Sequence, residues 1–279
     1  MVITIASMKG GVGKTTIAAM MARYISDKRG STVVVIDLDP QRGATIILLG
    51  ARKGASISPP TIYDILQSEL ANMPSTEIFA QAMRKSPYSD KIFVVPANGD
   101  LARILEEDTP PDLLRYALDE SPLSKDVTVI VDTGSGHKLC EMSVAASDVV
   151  LIPLTLSQQS GIPTMNTMRV ALDHGTKIGG IIPLMIGEAN WEKDQLEGWR
   201  RMLIESEALR EMNVDVLQGM PYSRLVIRGR WRWGKIPGTV LPALDDIYRK
   251  LFEKDSPGAE AFLYETGATE EVVIEEKVA

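Results

Sequence analysis

The chain has 279 residues, of which 44% are apolar and 24% are charged, values typical of a folded globular protein and too apolar for a disordered one. Its single cysteine, Cys140, excludes a disulfide framework, and with only His137 and His174 it leaves no Cys/His set for zinc or an iron–sulfur cluster. No run of about 18 apolar residues is present, so we expect a cytoplasmic protein with no membrane partner.

The net charge of −7 is concentrated near the C-terminus. Residues 255–279 contain seven acidic residues and one basic residue, so the rest of the chain is close to neutral. We therefore predict one folded domain over residues 1–254 and an acidic, flexible tail over residues 255–279.

Apolar runs rich in Val and Ile alternate with helical patterns along the chain. Helical periodicity begins at Lys14 and returns at residues 61–70, 101–106, 112–119, 162–173 and 191–212. Strands alternating with helices predict an α/β fold, a doubly wound and mostly parallel sheet flanked by helices on both faces. The runs that predict buried strands are residues 2–6, 32–37, 92–96, 127–132, 149–153, 178–186 and 214–217.

A glycine-rich segment links the first predicted strand to the first helix. Glycines let consecutive backbone N–H groups turn towards a bound phosphate, and the helix N-terminus adds positive potential. In such a segment Lys14 reaches the β- and γ-phosphates, and the Thr15 hydroxyl binds Mg²⁺. The sequence therefore predicts a nucleoside triphosphate site formed by Gly10, Gly11, Val12, Gly13, Lys14, Thr15 and Thr16.

Two further predicted strands end in carboxylates. Asp37 and Asp39 lie in the sequence Asp-Leu-Asp-Pro-Gln, and Asp132 ends the strand of residues 127–132. Because the carboxyl ends of parallel strands border the ligand crevice, we expect these groups near the phosphates. At such a position Asp132 would hold a Mg²⁺-bound water. The alternative is that an acid in the Asp37–Asp39 turn caps a helix over residues 41–49, and Asp39 could serve in both roles.

The segment Lys9-Gly10-Gly11-Val12-Gly13-Lys14-Thr15-Thr16 resembles the deviant Walker A box of the ParA/MinD family of dimeric ATPases. The resemblance implies ATP as the nucleotide and catalytic roles for Lys9, Lys14, Asp37 and Asp39. In that family the first lysine crosses the dimer interface to the phosphates of the other subunit.

The same resemblance assigns the acidic residues and the adenine contacts. It implies that Asp37 lies near the Mg²⁺ shell, that Asp39 positions the attacking water, and that Pro221-Tyr222 borders the adenine. The loop after Asp132 departs from the family pattern, because Thr133-Gly134-Ser135-Gly136-His137 replaces the usual Pro-Pro step.

The branch of the family follows from features that the sequence lacks. The missing cysteine pair excludes the iron–sulfur branches, and the acidic C-terminus argues against the membrane-binding MinD branch. No DNA-binding extension precedes the Walker box, so the chain resembles the short ParA-type partition ATPases of plasmids and chromosomes. This implies an ATP-dependent homodimer on nucleoid DNA, released when a ParB-like centromere-binding or adaptor protein stimulates hydrolysis.

Residues 224–235 contain five basic residues and no acid. By analogy with the family we expect DNA contact here, because guanidinium groups bind phosphates and release counterions regardless of base sequence. The alternative is a solvated face with buried tryptophans. The predicted DNA-binding residues are Arg224, Arg228, Arg230, Arg232 and Lys235.

Three other functions are compatible with the phosphate loop. One is a related ATPase that positions a non-DNA cargo such as a protein compartment or a chemosensory array. Another is an ATP-dependent ligase of the biotin-precursor type, which Lys9 and the Asp37/Asp39 pair argue against. The last is a P-loop protein without turnover.

Overall fold

The computed structural model describes residues 1–253 apart from Lys53, Glu107, Glu188, Met212, Asn213, Arg228, Arg230 and residues 232–234; for Gln158 and Ala208 it describes the backbone alone. The predicted tail, residues 255–279, lies outside the described residues, and the division of the chain at residue 254 stays a prediction.

A single mixed sheet runs through the centre of the described part of the chain. Its strands are β1 (Val2–Ile5), β2 (Val33–Leu38), β3 (Arg84–Lys85), β4 (Ile92–Val95), β5 (Thr128–Thr133), β6 (Val149–Thr155), β7 (Lys177–Ile186) and β8 (Met220–Pro221). They are ordered β3-β4-β2-β5-β1-β6-β7-β8, and the neighbouring strands are parallel except β3 and β4.

Helices connect these strands, and within the described residues none is long and apolar enough to cross a membrane. Short 3₁₀ segments cover Gly99–Leu105, Gln158–Ser160 and Gly238–Val240. The α-helices are α1 (Lys14–Arg29), α2 (Gly43–Leu49), α3 (Ile62–Leu70), α4 (Thr76–Ala82), α5 (Leu113–Asp119), α6 (His137–Ala145), α7 (Gly161–Asp173), α8 (Asn190–Glu205), α9 (Glu207–Glu211), α10 (Arg224–Ile227) and α11 (Leu241–Phe252).

The central strands are apolar on both faces because helices cover both faces. Val33 and Val35 of β2 belong to a core that also contains α1, α2 and α11, whereas Val34 and Ile36 belong to a core with α3, α4, α5 and α6. Successive side chains of a strand point to opposite faces, so each strand contributes to two cores. The predicted doubly wound α/β fold is confirmed.

Two predicted elements differ from the structure. The helix predicted over residues 191–212 is two helices, α8 and α9, separated at Ser206, whose backbone is extended. The strand predicted over residues 214–217 is reduced to one bridge between Ile181 and Val216. Leu217 packs so closely on Gly180 that a Cβ there would lie 2.6 Å from Leu217 Cγ. This contact between distant residues is not visible in local periodicity.

The sheet brings the predicted acidic residues to one edge. In the pairing of β2 with β5, Asp37 lies beside Asp132, and in the pairing of β1 with β5, Ile5 lies beside Asp132. The loop between β1 and α1 begins at the same edge. The carboxyl ends of the central strands therefore form the crevice in which ligands of such sheets bind.

Candidate active site

The loop between β1 and α1 has the conformation that a phosphate-binding segment needs. Gly11 and Gly13 have φ angles of 72° and 94°, in the left-handed region where glycine carries no steric penalty. A Cβ at Gly13 would also lie 3.1 Å from Leu184 Cδ1. A cavity of ≈ 370 Å³ opens on this loop and is lined by Gly10, Gly11, Val12, Gly13, Lys14, Thr15, Asp39, Gln41 and Ser135.

Lys14 lies inside the loop that precedes it. Its Nζ donates hydrogen bonds to the carbonyl oxygens of Ser7 at 3.0 Å and Lys9 at 3.1 Å, and the side chain is buried. Burial lowers the pKa of Lys14, and the nearby carboxylates of Asp132 and Asp39 oppose that effect. The first turn of α1 thus holds a cation at the base of the cavity.

Lys9 points away from that cavity. Its Nζ donates to Ser157 Oγ at 2.6 Å, Ser160 Oγ at 2.7 Å and Thr155 Oγ1 at 3.2 Å, all in the connection between β6 and α7. The two lysines of the loop therefore differ in environment, since Lys14 lies within the loop and Lys9 lies at its outer rim. The predicted crossing of Lys9 to another subunit concerns a second chain and stays a prediction.

Asp37 anchors the start of α2. Asp37 Oδ2 accepts hydrogen bonds from the backbone N–H and the hydroxyl of Thr45, both at 2.7 Å, and Oδ1 accepts from the Asp39 N–H at 3.2 Å. Burial raises the pKa of Asp37 to about 7, although the hydrogen bonds from Thr45 act in the opposite direction. These contacts fix the turn that carries Asp39, and the predicted role of Asp37 near Mg²⁺ stays a prediction.

Asp132 is a buried carboxylate without hydrogen-bond partners. Neither of its oxygens has a partner among the described residues, and burial, followed by the neighbouring Asp37, raises its pKa well above the usual range. Such a group is costly to bury unless a cation or bound water satisfies it. Thr15 lies close enough to favour the charged form of Asp132. The pair fits a hydrated Mg²⁺, which takes few direct protein ligands.

The unpartnered carboxylate predicts that Asp132→Asn stabilises the nucleotide-free protein. The pKa of the Asp132 carboxyl is near 3.8 in the unfolded chain and well above that value in the folded chain. The folded protein therefore holds this proton more tightly, and the stability of wild type falls as the pH rises above 3.8. In EDTA at pH 8 the variant should gain about 1–3 kcal/mol in free energy of unfolding, and less at pH 5.

Urea unfolding at the two pH values measures this difference. Asp126→Asn, which alters an exposed carboxylate, is the control and should show no such gain. A variant that is less stable than wild type at pH 8 would contradict the expected cost of burying Asp132.

Asp39 lies half-buried at the cavity wall. Its Oδ1 accepts a hydrogen bond from the Gln41 N–H at 2.9 Å and forms a local turn. Asp39 does not cap α2, which begins at Gly43 after Arg42. The predicted alternative of an acidic helix cap is met instead by Asp37, whose Oδ2 accepts from the Thr45 N–H in the first turn of α2. A Cβ at Gly43 would meet Thr15 Oγ1 at 2.8 Å, so this glycine lets α2 approach the phosphate loop.

Ser135 and Gln41 are cavity residues that sequence reasoning did not single out. Ser135 belongs to the loop with the glycines in place of Pro-Pro, and a Cβ at Gly10 would lie 3.7 Å from its Oγ. Gln41 directly follows the Asp-Leu-Asp-Pro sequence, and this position next to Asp39 could have indicated that it lies at the site.

A second cavity, of ≈ 250 Å³, adjoins the phosphate loop and is mostly apolar. Of the predicted adenine contacts, Pro221 lines it, whereas Tyr222 is 57% exposed and is not among the lining residues. Sequence reasoning missed most of the other lining residues, which come from distant segments. They are Gly11, Gly13, Thr16, Ile17, Leu184, Met185, Met220, Val226, Ile227, Trp231 and Val240.

The predicted DNA-binding stretch is only partly described. Arg224 begins α10 and is exposed, as is Lys235, whereas Arg228, Arg230 and Arg232 lie outside the described residues. Trp231 is 3% exposed and its Nε1 donates to the Val226 carbonyl at 3.2 Å. The alternative of a buried tryptophan is therefore confirmed for Trp231, while Trp233 lies outside the described part of the chain.

Comparisons with known proteins support the interpretation of the loop between β1 and α1 as a nucleotide-binding segment. The model of the AAA_31 family, described as an AAA domain, matches residues 1–171. An uncharacterized ATP-binding protein of Methanocaldococcus jannaschii is 29% identical over 222 residues, which are 77% of this chain and 75% of that protein.

Two further relatives carry names that describe a biological role. The chromosome-partitioning ATPase Soj of Thermus thermophilus is 28% identical over 207 residues, covering 71% of this chain and 75% of Soj. The maintenance of carboxysome distribution protein A of Synechococcus elongatus is 29% identical over 179 residues, covering 61% of this chain and 63% of that protein.

Solved structures share the fold at lower identity. Apo McdA of Cyanothece has a TM-score of 0.71 and 18% identity, and the match covers 89% of this chain and 98% of McdA. A plasmid partition protein from Borrelia burgdorferi has a TM-score of 0.63 and 21% identity, over 83% of this chain and 95% of that chain. At these identities the likeness concerns the fold alone.

Proposed function

The chain belongs to the AAA_31 family of AAA domains, with relatives among the ParA-type partition ATPases, and from this premise we propose that it is an ATPase whose ATP-bound dimer binds DNA. Its cargo is a plasmid or a chromosome, and a ParB-like centromere-binding or adaptor protein stimulates hydrolysis to reset the monomer.

The different environments of Lys9 and Lys14 are the observation that carries the proposal. Lys14 is held by the carbonyls of its own loop at 3.0 and 3.1 Å and serves the phosphates bound in the same subunit. Lys9 lies at the outer rim, where three neutral hydroxyls hold it, so a triphosphate in a second subunit can draw its ammonium group away from them. A cation brought across an interface stabilises charge that develops on the transferred phosphoryl group.

The surface next to Lys9 supports a dimer with the nucleotides between the subunits. Ile162 and Met165, in the first turns of α7, are 76% and 43% exposed. Exposed apolar side chains beside a binding site are typical of an interaction surface. Closure of two subunits over ATP would cover them and exclude water from the phosphates.

Thr15 and Asp132 are the residues that would hold Mg²⁺, Asp132 through a bound water, with Asp37 beside them. When bound, Mg²⁺ neutralises charge on the β- and γ-phosphates. Asp39, at the cavity wall, orients the attacking water, and Gly10 to Thr16 supply backbone donors to the phosphates. Pro221 and the apolar cavity beside the loop receive the base, and Tyr222 lies at its outside.

Salt titration of DNA binding tests the proposal. With ATP and Mg²⁺ the protein should bind random-sequence DNA with an affinity that falls steeply with salt, and with ADP or no nucleotide it should bind far more weakly. Equal affinity in the three states would contradict a nucleotide-controlled DNA switch.

The contribution of the basic stretch can be measured in the same assay. Arg224→Ala combined with Lys235→Ala should reduce the slope of log affinity against log salt by about two per subunit, because each lost phosphate contact releases about one counterion fewer. Arg228, Arg230 and Arg232 are expected to add to the same slope. Lys125→Ala, which alters an exposed lysine just before β5, should leave the slope unchanged.

A second candidate function is the positioning of a protein compartment. The similarity to the carboxysome distribution protein of Synechococcus elongatus supports it, since this relative has 29% identity. Both functions share the ATP-dependent dimer on DNA and differ in the adaptor. Co-purification with a compartment shell protein rather than with a centromere-binding protein would favour the second candidate.

A further inference from the structure

We propose that Thr155, Ser157 and Ser160, here called the hydroxyl cage, hold Lys9 in its own subunit before dimerisation and so set the ATP concentration at which two subunits join. The inference rests on the proposed function, because it assumes that Lys9 is the residue that crosses between subunits. It assigns these three residues a positioning role.

The cage is built by the chain immediately after β6. Thr155 ends β6, and Ser157 and Ser160 lie on the short turn before α7. Ser160 Oγ lies 2.8 Å from Thr155 Oγ1 and 2.9 Å from Ser157 Oγ. Backbone bonds from the N–H of Ser160 to the Ser157 carbonyl, at 2.9 Å, and from the N–H of Ser157 to the Thr155 carbonyl, at 2.8 Å, brace the same turn.

The chemistry of the cage suits temporary storage of a cation. An ammonium group has three N–H donors, and each finds a hydroxyl oxygen here, at 2.6, 2.7 and 3.2 Å. Hydroxyl groups are neutral and therefore supply no countercharge. A triphosphate offers both hydrogen-bond acceptors and negative charge, so it attracts the lysine more strongly than the cage does.

Storage in the cage competes with dimerisation. Only the fraction of subunits with a free Lys9 is ready to join, and the apparent affinity for a partner is reduced by that fraction. Loss of a cage hydroxyl raises the fraction and so favours the dimer. This is the opposite of what the loss of an ordinary interface contact would do, and the sign of the effect distinguishes the two roles.

Sedimentation velocity of the full chain with increasing concentrations of a non-hydrolysable ATP analogue tests the cage. Ser157→Ala and Ser160→Ala should each lower the analogue concentration at half-dimerisation by about threefold to tenfold, as expected for the loss of one hydrogen bond. Ser157→Asp, which adds a countercharge at an exposed position, should raise it. Ser157→Thr keeps the hydroxyl and should behave as wild type.

Folding and position effects are controlled by two further variants. Thr155→Val removes a hydroxyl with little change of shape. A lower analogue concentration at half-dimerisation (the midpoint) in this variant is therefore not a consequence of a packing defect. Ser124→Ala, an exposed serine before β5, should leave the midpoint unchanged. An unchanged or raised midpoint in Ser157→Ala, Ser160→Ala and Thr155→Val would overturn the proposal.

Amine acetylation of the nucleotide-free protein reports on the cage without any dimer. Mass spectrometry should find Lys9 protected in wild type and labelled severalfold faster in Ser157→Ala. Equal labelling of Lys9 in both proteins would overturn the cage even if ATP-dependent dimers form. Conversely, if wild type never dimerises with ATP, the proposed function fails, while protection of Lys9 in the acetylation assay still shows the cage itself.

Discussion

Lys9→Ala is expected to abolish ATP-dependent dimerisation while each subunit still binds ATP. The Lys9 side chain contacts the hydroxyls of the β6–α7 connection. Among the described residues, the hydrogen bonds of Lys9 to Ser7 and Lys14 come from its backbone N–H and carbonyl, which alanine keeps. The cradle for the phosphates therefore survives the substitution. In the proposed dimer, the substitution removes a positive charge from the phosphates of the other subunit, and the ATPase rate should fall by about 10²–10³.

Two measurements separate these effects. Sedimentation velocity should give a monomer for Lys9→Ala at ATP concentrations where wild type is a dimer, and fluorescent ATP binding should give a similar affinity per subunit. Lys14→Ala is the matched comparison, since loss of the buried lysine should remove ATP binding itself. A Lys9→Ala protein that dimerises with ATP as wild type does would exclude a crossing role for this residue.

Asp39→Ala is expected to have the opposite effect on assembly. Hydrolysis should fall by about 10²–10³, because in the proposed mechanism Asp39 is the group that orients the attacking water. ATP binding and dimerisation should persist, since Asp39 lies at the cavity wall and, within the described part of the chain, makes no hydrogen bond to Lys9 or Lys14. The variant should therefore sediment with DNA in the presence of ATP and stay bound.

Asp39→Asn separates the chemistry from the local turn. Its side-chain oxygen can still accept the hydrogen bond from the Gln41 N–H, which is 2.9 Å long in the structure, whereas the carboxylate charge is lost. Slow hydrolysis in both variants points to the carboxylate, while slow hydrolysis in Asp39→Ala alone would assign the effect to the turn. Asp100→Ala, an exposed acid on a 3₁₀ segment, should leave the rate unchanged.

Local sequence patterns predicted the sheet and the phosphate loop well. The apolar runs of β1, β2, β4, β5, β6 and β7 are strands close to the expected bounds, because a strand covered on both faces requires Val and Ile at nearly every position. Gly11 and Gly13 could be recognised because only glycine adopts their positive φ angles without strain. The helix α1 was predicted from the helical spacing of apolar residues that begins at Lys14.

Other elements were missed because their local signal is weak. The helices α4, α6 and α11 were not predicted, and the two-residue strands β3 and β8 are too short for any periodicity. The stop of α8 before Ser206 was missed as well, since the apolar pattern continues from Trp199 through Leu203 to Leu209. Tertiary packing, not local propensity, determines where such helices end.

The sequence by itself determined that this protein has a doubly wound sheet, a phosphate loop with two lysines, and acidic residues at strand ends. Only the tertiary structure decided that Asp37 and Asp132 are neighbours in register, that Trp231 is buried beside an apolar cavity, and that Lys9 rests on hydroxyls about 150 residues away. Residue types and their spacing reveal contacts within a turn or a helix. Contacts between strands and loops far apart in the chain depend on how the sheet orders its strands, and no spacing along the sequence records that order.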